Sequence, residues 1–346
     1  LKDYFSRPLI ILIIIIFIIT LVSYLYPLAD GLKDSLRGSD QDDCVILGAT
    51  LLSKFQHPYS EFTYFGNPCS QGLGMLILYI PFVMSGFYPL GAITSTLLSI
   101  WSIKNFTQEK YRTFIFSAII ISSVFWFELL SVGSDLIFLG SGMLIISHTL
   151  IKVIRSRNDF GLLLLAVFSG LIASTRINFL ILSPLLSLFI FKHWKKGACI
   201  FLIISASISI IPSILLYFSD PQQFMPLHLL GKSDFLLKNG LKQIAIILSL
   251  VGTFEGYKLS KRKIENIPIG LFLSLFPSLF FLSLGDFIFI NSGNPSTWEG
   301  ANYLMPIFPL AASIIAKVAR DKMITILGKK FKGYNWDKNY GYGTKQ

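Results

Sequence analysis

Long apolar runs, separated by short charged segments, dominate the chain. The first run, 9–25, contains no charged residue and is long enough to cross a ~30 Å hydrocarbon core as a helix. Similar runs recur as far as residue 318, with no low-complexity segment between them. The pattern predicts an all-α polytopic membrane protein with about ten transmembrane helices, within a range of roughly 9 to 12.

Basic residues cluster in every second connection between these runs, and these clusters orient the chain. Under the positive-inside rule they are cytoplasmic, which places both termini inside. The external loops are then 30–71, 219–241 and 291–300. We expect one transmembrane domain over 1–318 and a basic cytoplasmic tail over 319–346. The expected location is the cell (plasma) membrane, with a multi-pass topology and an extracytoplasmic active face.

The charge balance has an explanation that does not involve nucleic acid. The chain has 30 Lys and Arg against 19 Asp and Glu, a net charge of +11. Because the basic residues sit in short clusters between apolar runs, we expect them to face cytoplasm and anionic lipid headgroups. We therefore predict membrane lipid as a partner and no nucleic-acid partner.

Two regions leave the number of spans open. Segment 72–103 crosses an odd number of times, and Pro81, Gly86 and Pro89 supply a break in it. Segments 160–173 and 177–191 predict a hairpin of two short helices with Arg176 at its outer tip.

The first external loop holds the strongest candidate chemistry. Ser39 is positioned to cap a helix whose first turn carries Asp40, Asp42 and Asp43. Acids in a first helical turn also interact favourably with the helix dipole, but this purely structural role does not readily explain three of them. The following residues have helical spacing on one face, which predicts an amphipathic helix in the plane of the membrane interface. That apolar face consists of Cys44, Val45, Gly48, Leu51, Leu52 and Phe55.

Aromatic turns follow this helix, and their function has two interpretations. Tyr59, Tyr64 and Asn67 lie in turns whose surfaces suit sugar rings, and they equally suit an interfacial aromatic belt. Cys44 and Cys69 share this loop. A disulfide between them is one alternative, but since nothing in their spacing demands a bridge, we favour two unpaired small apolar residues.

The order of these motifs resembles the GT-C superfamily of integral-membrane glycosyltransferases, and most of all its bacterial polyprenyl-phosphate-dependent mannosyltransferase-like members. The loop-1 pieces read SDQDDCVILGATLLSKFQHPY, TYFGNP and QGLGMLILYIPF. Later pieces read GSD at 133–135, STRINF at 174–179 and NYLMPIFP at 302–309. The usual Gly of the turn before HPY is replaced by Lys54-Phe55-Gln56.

The resemblance implies a polyprenyl-phosphate sugar as donor and an acceptor on the outer face. One loop-1 aspartate would then act as general base on the acceptor hydroxyl. Crowding of like charges raises carboxyl pKa values, which suits a base. The same acids, with Asp42 and Asp43 foremost, are alternatively ligands for a divalent cation. No other cofactor is expected.

Five residues outside the first loop complete the predicted site. Arg176 suits bidentate phosphate recognition, although an arginine that snorkels to the interface would look the same in sequence. Asn178 would assist it. Asp135 is either an N-cap for the helix that follows or part of the site. Glu299 and Asn302 are one turn apart and are candidates for binding sugar hydroxyls.

The function that we predict is transfer of a hexose from the lipid-linked donor to a glycan, lipid or protein acceptor. Two other functions fit the sequence less well. A lipid-linked glycan transporter or flippase would line a path through the membrane with charge, and an envelope glycan polymerase or ligase would usually carry its large external loop late in the chain. The sequence leaves the oligomeric state open.

Overall fold

The computed structural model describes residues 8–35, 39–107, 109–293 and 299–330. In these residues the backbone forms α-helices and short 3-10 turns, with no β-strand. The α-helices of this described part are α1 (Pro8–Gly31), α2 (Asp43–Ser53), α3 (Leu73–Met84), α4 (Leu90–Thr107), α5 (Lys110–Ile121), α6 (Val124–Ser131), α7 (Leu136–Ser156), α8 (Asp159–Ala173), α9 (Leu182–Phe191), α10 (Lys195–Ser219), α11 (His228–Leu236), α12 (Leu241–Arg262), α13 (Ile267–Phe289) and α14 (Phe308–Lys330).

The fold class is an all-α protein with several helices suited to span a membrane. Among the described residues, five helices are long and apolar enough to cross, and two bent pairs raise the number to seven. The five are Ile15–Asp34, Leu136–Ser156, Lys195–Ser219, Ile264–Phe289 and Gly300–Met323. Four shorter apolar helices lie among them, so the figure of about ten spans remains a prediction.

Breaks and sharp bends interrupt the helices at three places. The run 113–130 is divided into α5 and α6, which bend by 58°. The break lies at Ser123, whose Oγ accepts a hydrogen bond from Trp126 N at 3.2 Å and so starts a new helix. The expected break in 72–103 is confirmed, because α3 ends before Gly86, which has a φ of 74°. Segment 219–241 contains α11, which meets α12 at 104°.

The start of the loop-1 helix differs from the prediction. Helix α2 begins at Asp43 with Asp42 at its N-cap, so Asp40 precedes it. Ser39 Oγ accepts a hydrogen bond from Gln41 N at 3.3 Å, forming a local turn instead of the expected cap. The chain then leaves the helix early, since Phe55 has a φ of 58° and is 99% exposed.

Helix α2 packs into the protein rather than standing apart from it. Cys44, Val45 and Gly48, from its predicted apolar face, are buried. An added Cβ at Gly48 would lie 2.9 Å from the Leu76 side chain of α3. The small residue therefore permits close contact between α2 and α3, and this contact fixes the acidic end of α2 against the bundle.

The segments that connect the helices form two groups, one at each end of the molecule. At one end, Arg157 Nη2 donates to His193 O at 2.8 Å, and Arg320 pairs with Glu109 at 2.6 Å. These connections belong to the set that the basic clusters placed inside. At the other end, the loop-1 residue Cys69 donates its N–H to Met225 Sδ at 3.3 Å. The groups of connections that charge placed together in the sequence therefore also meet in space.

Backbone contact joins the end of loop 1 to the hairpin tip before Arg176. Gly72 N donates to Thr175 O at 2.7 Å. A Cβ added to Gly72 would lie 2.0 Å from Ser174 O, and one on Gly74 would lie 2.0 Å from Leu171 O. Only glycine permits this approach, because the opposing atoms are backbone and do not rotate away.

We expect Gly72→Ala to lower stability by at least the roughly 1–3 kcal/mol typical of overpacking. The measurement is the midpoint of thermal unfolding in detergent. Gly31→Ala is the matched control, because a Cβ there meets nothing within 4 Å. An unchanged midpoint for Gly72→Ala would contradict this packing.

Candidate functional site

Lys33 lies at the centre of the loop-1 acids. Its Nζ is 2.6 Å from Asp30 Oδ1, 3.1 Å from Asp42 Oδ1 and 2.6 Å from Asp43 Oδ1. The lysine comes from the turn after α1, and two of the acids come from the start of α2. One ammonium group therefore ties the end of the first span to the helix that follows.

Asp42 is the most enclosed of the three predicted acids. Its residue surface is only 2% exposed, and its Oδ2 accepts a short hydrogen bond from the Tyr26 hydroxyl. Burial raises the pKa of the Asp42 carboxyl, while Tyr26 and the charge of Lys33 oppose that rise. Both carboxylate oxygens have partners, so Asp42 acts mainly as a junction between α1, Lys33 and α2.

Asp40 and Asp43 hold the TYFGNP segment. Asp40 Oδ2 accepts from Thr63 Oγ1 at 2.5 Å and from Asn67 Nδ2 at 2.8 Å. Asp43 Oδ2 accepts from Tyr64 N at 2.8 Å. The described residues give Asp40 Oδ1 no partner, so this oxygen is the most available carboxylate atom of the three predicted acids.

Cys44 and Cys69 form a disulfide bond, which corrects the expectation that they are unpaired. Their Cα atoms are 5.2 Å apart across a sequence separation of 25 residues. Cys44 is buried by the packing of α2, and the turn at 63–67 returns Cys69 to it. The spacing carried no sign of this pairing, because it depends on the fold of the whole loop. Disulfides persist in oxidising compartments.

A second charged cluster surrounds Arg176. Its Nη2 donates to Asp135 Oδ1 at 2.7 Å and Oδ2 at 3.0 Å, and its Nη1 donates to Ser70 Oγ at 2.8 Å. Asp135 is 1% exposed and occupies the N-cap position of α7, but its side chain makes no cap bond and pairs with Arg176 instead. The predicted site residues Arg176 and Asp135 therefore form an ion pair between a buried carboxylate and a partly buried guanidinium, and this pair also holds the end of loop 1.

The two charged clusters approach each other through the turn before Asp135. A Cβ added to Gly133 would lie 3.1 Å from Asp42 Cβ and 2.9 Å from the rings of Tyr26 and Tyr88. The ring of Tyr88 lies 5.0 Å from that of Tyr79. Within the described part of the chain, the buried hydroxyls of these last two residues have no hydrogen-bond partner.

The other predicted site residues either lie away from these clusters or have side chains that are buried in the protein. Tyr59 is 1% exposed and donates its hydroxyl to Gln71 O at 3.1 Å, so its ring is packing rather than surface. Asn178 is exposed, with Nδ2 3.4 Å from Ser233 Oγ. Asn302 is partly buried. The side chain of Glu299 lies outside the described residues.

Sequence reasoning missed Lys33, Tyr26 and Ser70. The spacing Asp30-x-x-Lys33 was the available signal for the first, since residues three apart on a helix face the same side. Tyr26 and Ser70 offered none, because their partners are 16 and 106 residues away.

Similarity to known proteins is confined to the C-terminal part of the chain. The family model for Ribonuclease HII matches residues 301–346. Ribonuclease HII of Pelagibacter ubique is 69% identical over 36 residues, which are 10% of this chain and 19% of that protein. The Ehrlichia chaffeensis protein is 66% identical over 35 residues, 10% of this chain and 17% of its own length. The Wolbachia protein from Brugia malayi is 36% identical over 66 residues, 17% and 32% of the two chains.

This chain therefore spans a third or less of the length of these relatives. The matched residues include α14 and the segment that we predicted as a basic tail. No solved structure matches the chain. The similarity does not reach the two charged clusters described above, all of whose residues precede 301.

Thiol labelling tests the disulfide and the two-ended arrangement together. We expect a membrane-impermeant maleimide to label Cys44 and Cys69 on intact cells only after an impermeant reductant has broken the disulfide and a mild denaturant has exposed the two buried thiols. Cys199 is the internal control, since it is free and exposed next to the basic residues at the start of α10. It should react only after permeabilisation. Labelling of Cys199 alone from outside would reverse the sidedness.

Substitutions that break the Arg176–Asp135 ion pair test how much this pair contributes to the stability of the protein. We expect Asp135→Asn to destabilise the protein by roughly 3–5 kcal/mol, because it leaves a partly buried guanidinium without its carboxylate. Asp135→Asn combined with Arg176→Met should unfold at a higher temperature than Asp135→Asn alone. Equal midpoints for the single and double variants would show that the two side chains are not coupled.

Proposed function

We propose that the chain is a GT-C-like membrane glycosyltransferase that moves a sugar from a polyprenyl-phosphate donor to an acceptor on the extracytoplasmic face. The observation that carries this proposal is the meeting of the loop-1 carboxylates and the Arg176 tip at one end of the molecule. The disulfide in the same loop supports an oxidising, extracytoplasmic setting for that end.

In this proposal Asp40 is the best placed general base. It has one carboxylate oxygen without a partner among the described residues, whereas both oxygens of Asp42 and Asp43 accept hydrogen bonds. The base takes the proton of the acceptor hydroxyl as the acceptor oxygen bonds to the anomeric carbon. Asp42 and Asp43 then act as positioning residues that fix the loop around Asp40.

Cationic groups near Arg176 suit the phosphate that leaves with the polyprenyl chain. Arg176 has five N–H donors, and Asp135 and Ser70 engage its two terminal nitrogens. His228 lies close enough to interact electrostatically with Arg176 and Lys232. Arg176 and Lys232 therefore supply positive charge in this region, which would stabilise the charge on the leaving phosphate.

The exposed aromatic side chains of loop 1 suit the sugar. Tyr64 is 57% exposed and Phe62 is 57% exposed, while Asp40 and Asp43 hold the adjacent turn in place. Both residues adjoin Thr63, whose hydroxyl donates to Asp40, and an aromatic face packs well against the apolar face of a hexose. A ring in this position would orient the acceptor or the donor sugar before transfer.

The test replaces Asp40, Asp42 and Asp43 singly with Asn and measures sugar transfer from a polyprenyl-phosphate sugar in proteoliposomes. We expect Asp40→Asn to lose about 10²- to 10⁴-fold in kcat, the usual contribution of a general base. Lys54→Gln is the control, since Lys54 is an exposed charge in the same loop.

Full activity in all three aspartate variants would refute the mechanism. Transport of a lipid-linked glycan without any transfer product would favour the flippase alternative. We do not extend the activity of ribonuclease HII to this chain, because the similarity covers a third or less of those proteins.

A further inference from the structure

Three carboxylates of the first loop form a cage of the size that binds a divalent cation. One oxygen from each of Asp30, Asp42 and Asp43 lies within 4.8 Å of the others. Oxygen ligands of Ca²⁺ lie at about 2.3–2.6 Å from the ion, so ligands on opposite sides of it are roughly 4.6–5.2 Å apart. The carboxylates alone would be read as a candidate metal site.

The centre of this cage is filled by a side chain of the protein. Lys33 Nζ contacts all three carboxylates, two of them at 2.6 Å. Lys33 is only 7% exposed, which is unusual for a lysine and shows that the side chain is held inward. A metal ion and this ammonium group cannot occupy the same centre.

The net charge of the cage depends on whether Lys33 is present. With the lysine, the ammonium group partly neutralises the carboxylates; without it, the carboxylates favour a bound metal ion. Three carboxylates together carry a charge of −3, and the ammonium reduces it to −2. Without the lysine, a buried Asp42 would face two neighbouring acids with no positive charge between them, which is strongly unfavourable. A divalent cation would then restore the balance more completely than the lysine does.

We propose that Lys33 is a built-in counter-cation, which holds Asp42 and Asp43 in the arrangement that a divalent metal would otherwise impose. Lys33 is a positioning residue: it touches the acids and not the substrate. The consequence is a loop-1 site that is metal-independent in the native chain and becomes a metal site when the lysine is removed.

The direct test is Mn²⁺ binding to the purified full-length protein, followed by electron paramagnetic resonance. We expect no Mn²⁺ site at the loop-1 acids in the native protein and one site in Lys33→Met. Adding Asp42→Asn to Lys33→Met should abolish that site. Lys54→Met is the matched control, because it removes an exposed loop-1 lysine and should leave binding unchanged.

Two outcomes would overturn the inference. The first is stoichiometric Mn²⁺ binding by the native protein that Asp42→Asn removes, since Lys33 would then yield its position to a metal. The second is a Lys33→Met variant that keeps the native unfolding temperature and disulfide but binds no Mn²⁺. If Lys33→Met does not fold, Mn²⁺ binding is measured on the native protein and on Lys33→Arg instead. Neither should bind Mn²⁺ at the loop-1 acids, and binding by either would contradict the inference.

A second measurement uses activity and rests on the proposed function. Sugar transfer by the native protein should be unchanged by EDTA. Lys33→Met should lose about 10- to 100-fold in kcat, as is typical when a group that orients a polar site is removed, and Mn²⁺ should restore part of the loss. The two experiments separate the two claims: a missing transfer activity would refute the proposed function, whereas Mn²⁺ binding reports on Lys33 without it.

Discussion

The disulfide between Cys44 and Cys69 is the constraint on which the candidate site depends. Cys44 follows Asp43, which contacts Lys33, and Cys69 precedes Ser70, which contacts Arg176. The bond therefore joins two charged clusters that lie far apart in sequence. Closing a loop of this length removes roughly 3 kcal/mol of conformational freedom from the unfolded chain. Without it, the ion pairs, the hydrogen bonds and the packing of α2 would have to hold both clusters in place.

Each buried charge in this region is matched by an opposite charge from another element. Asp42 meets Lys33 from the turn after α1, and Asp135 meets Arg176 from the tip between α8 and α9. Burying such pairs is expensive unless their geometry is good and their remaining atoms are bonded. This cost explains the additional bonds from Tyr26 and Ser70. It also means that the charged residues stabilise the site only as complete sets, because each depends on its partner for burial.

Hydropathy and charge predicted the fold class and the grouping of the connections, whereas contacts between distant residues were beyond them. The apolar runs around α7, α10 and α13 are confirmed as long helices, since length and composition determine whether a helix can span a membrane. The bend at Ser123 does not show in the apolar pattern of that stretch, because one local cap bond outweighs the pattern. The acids of loop 1 were found as a group, but Asp40 is partly exposed whereas Asp42 is buried, although the two are only two residues apart. That difference arises from Tyr26 and the turn at 63–67, which no local pattern encodes.

The similarity to ribonuclease HII concerns the last helix, which lies away from the candidate site. Helix α14 lies within the matched range, and Arg320 on it pairs with Glu109 at the end opposite the candidate site. The acids, Lys33, the disulfide and the Arg176 pair all precede residue 177, and most of their polar contacts are with one another, although Cys69 N also donates to Met225 Sδ from a later loop. Their geometry therefore follows from the first half of the chain, whichever role the C-terminal segment has. One contiguous half of the chain supplies both charged clusters, the disulfide and the counter-charges. The later helices mainly support this half by keeping α3, α7 and α8 in register.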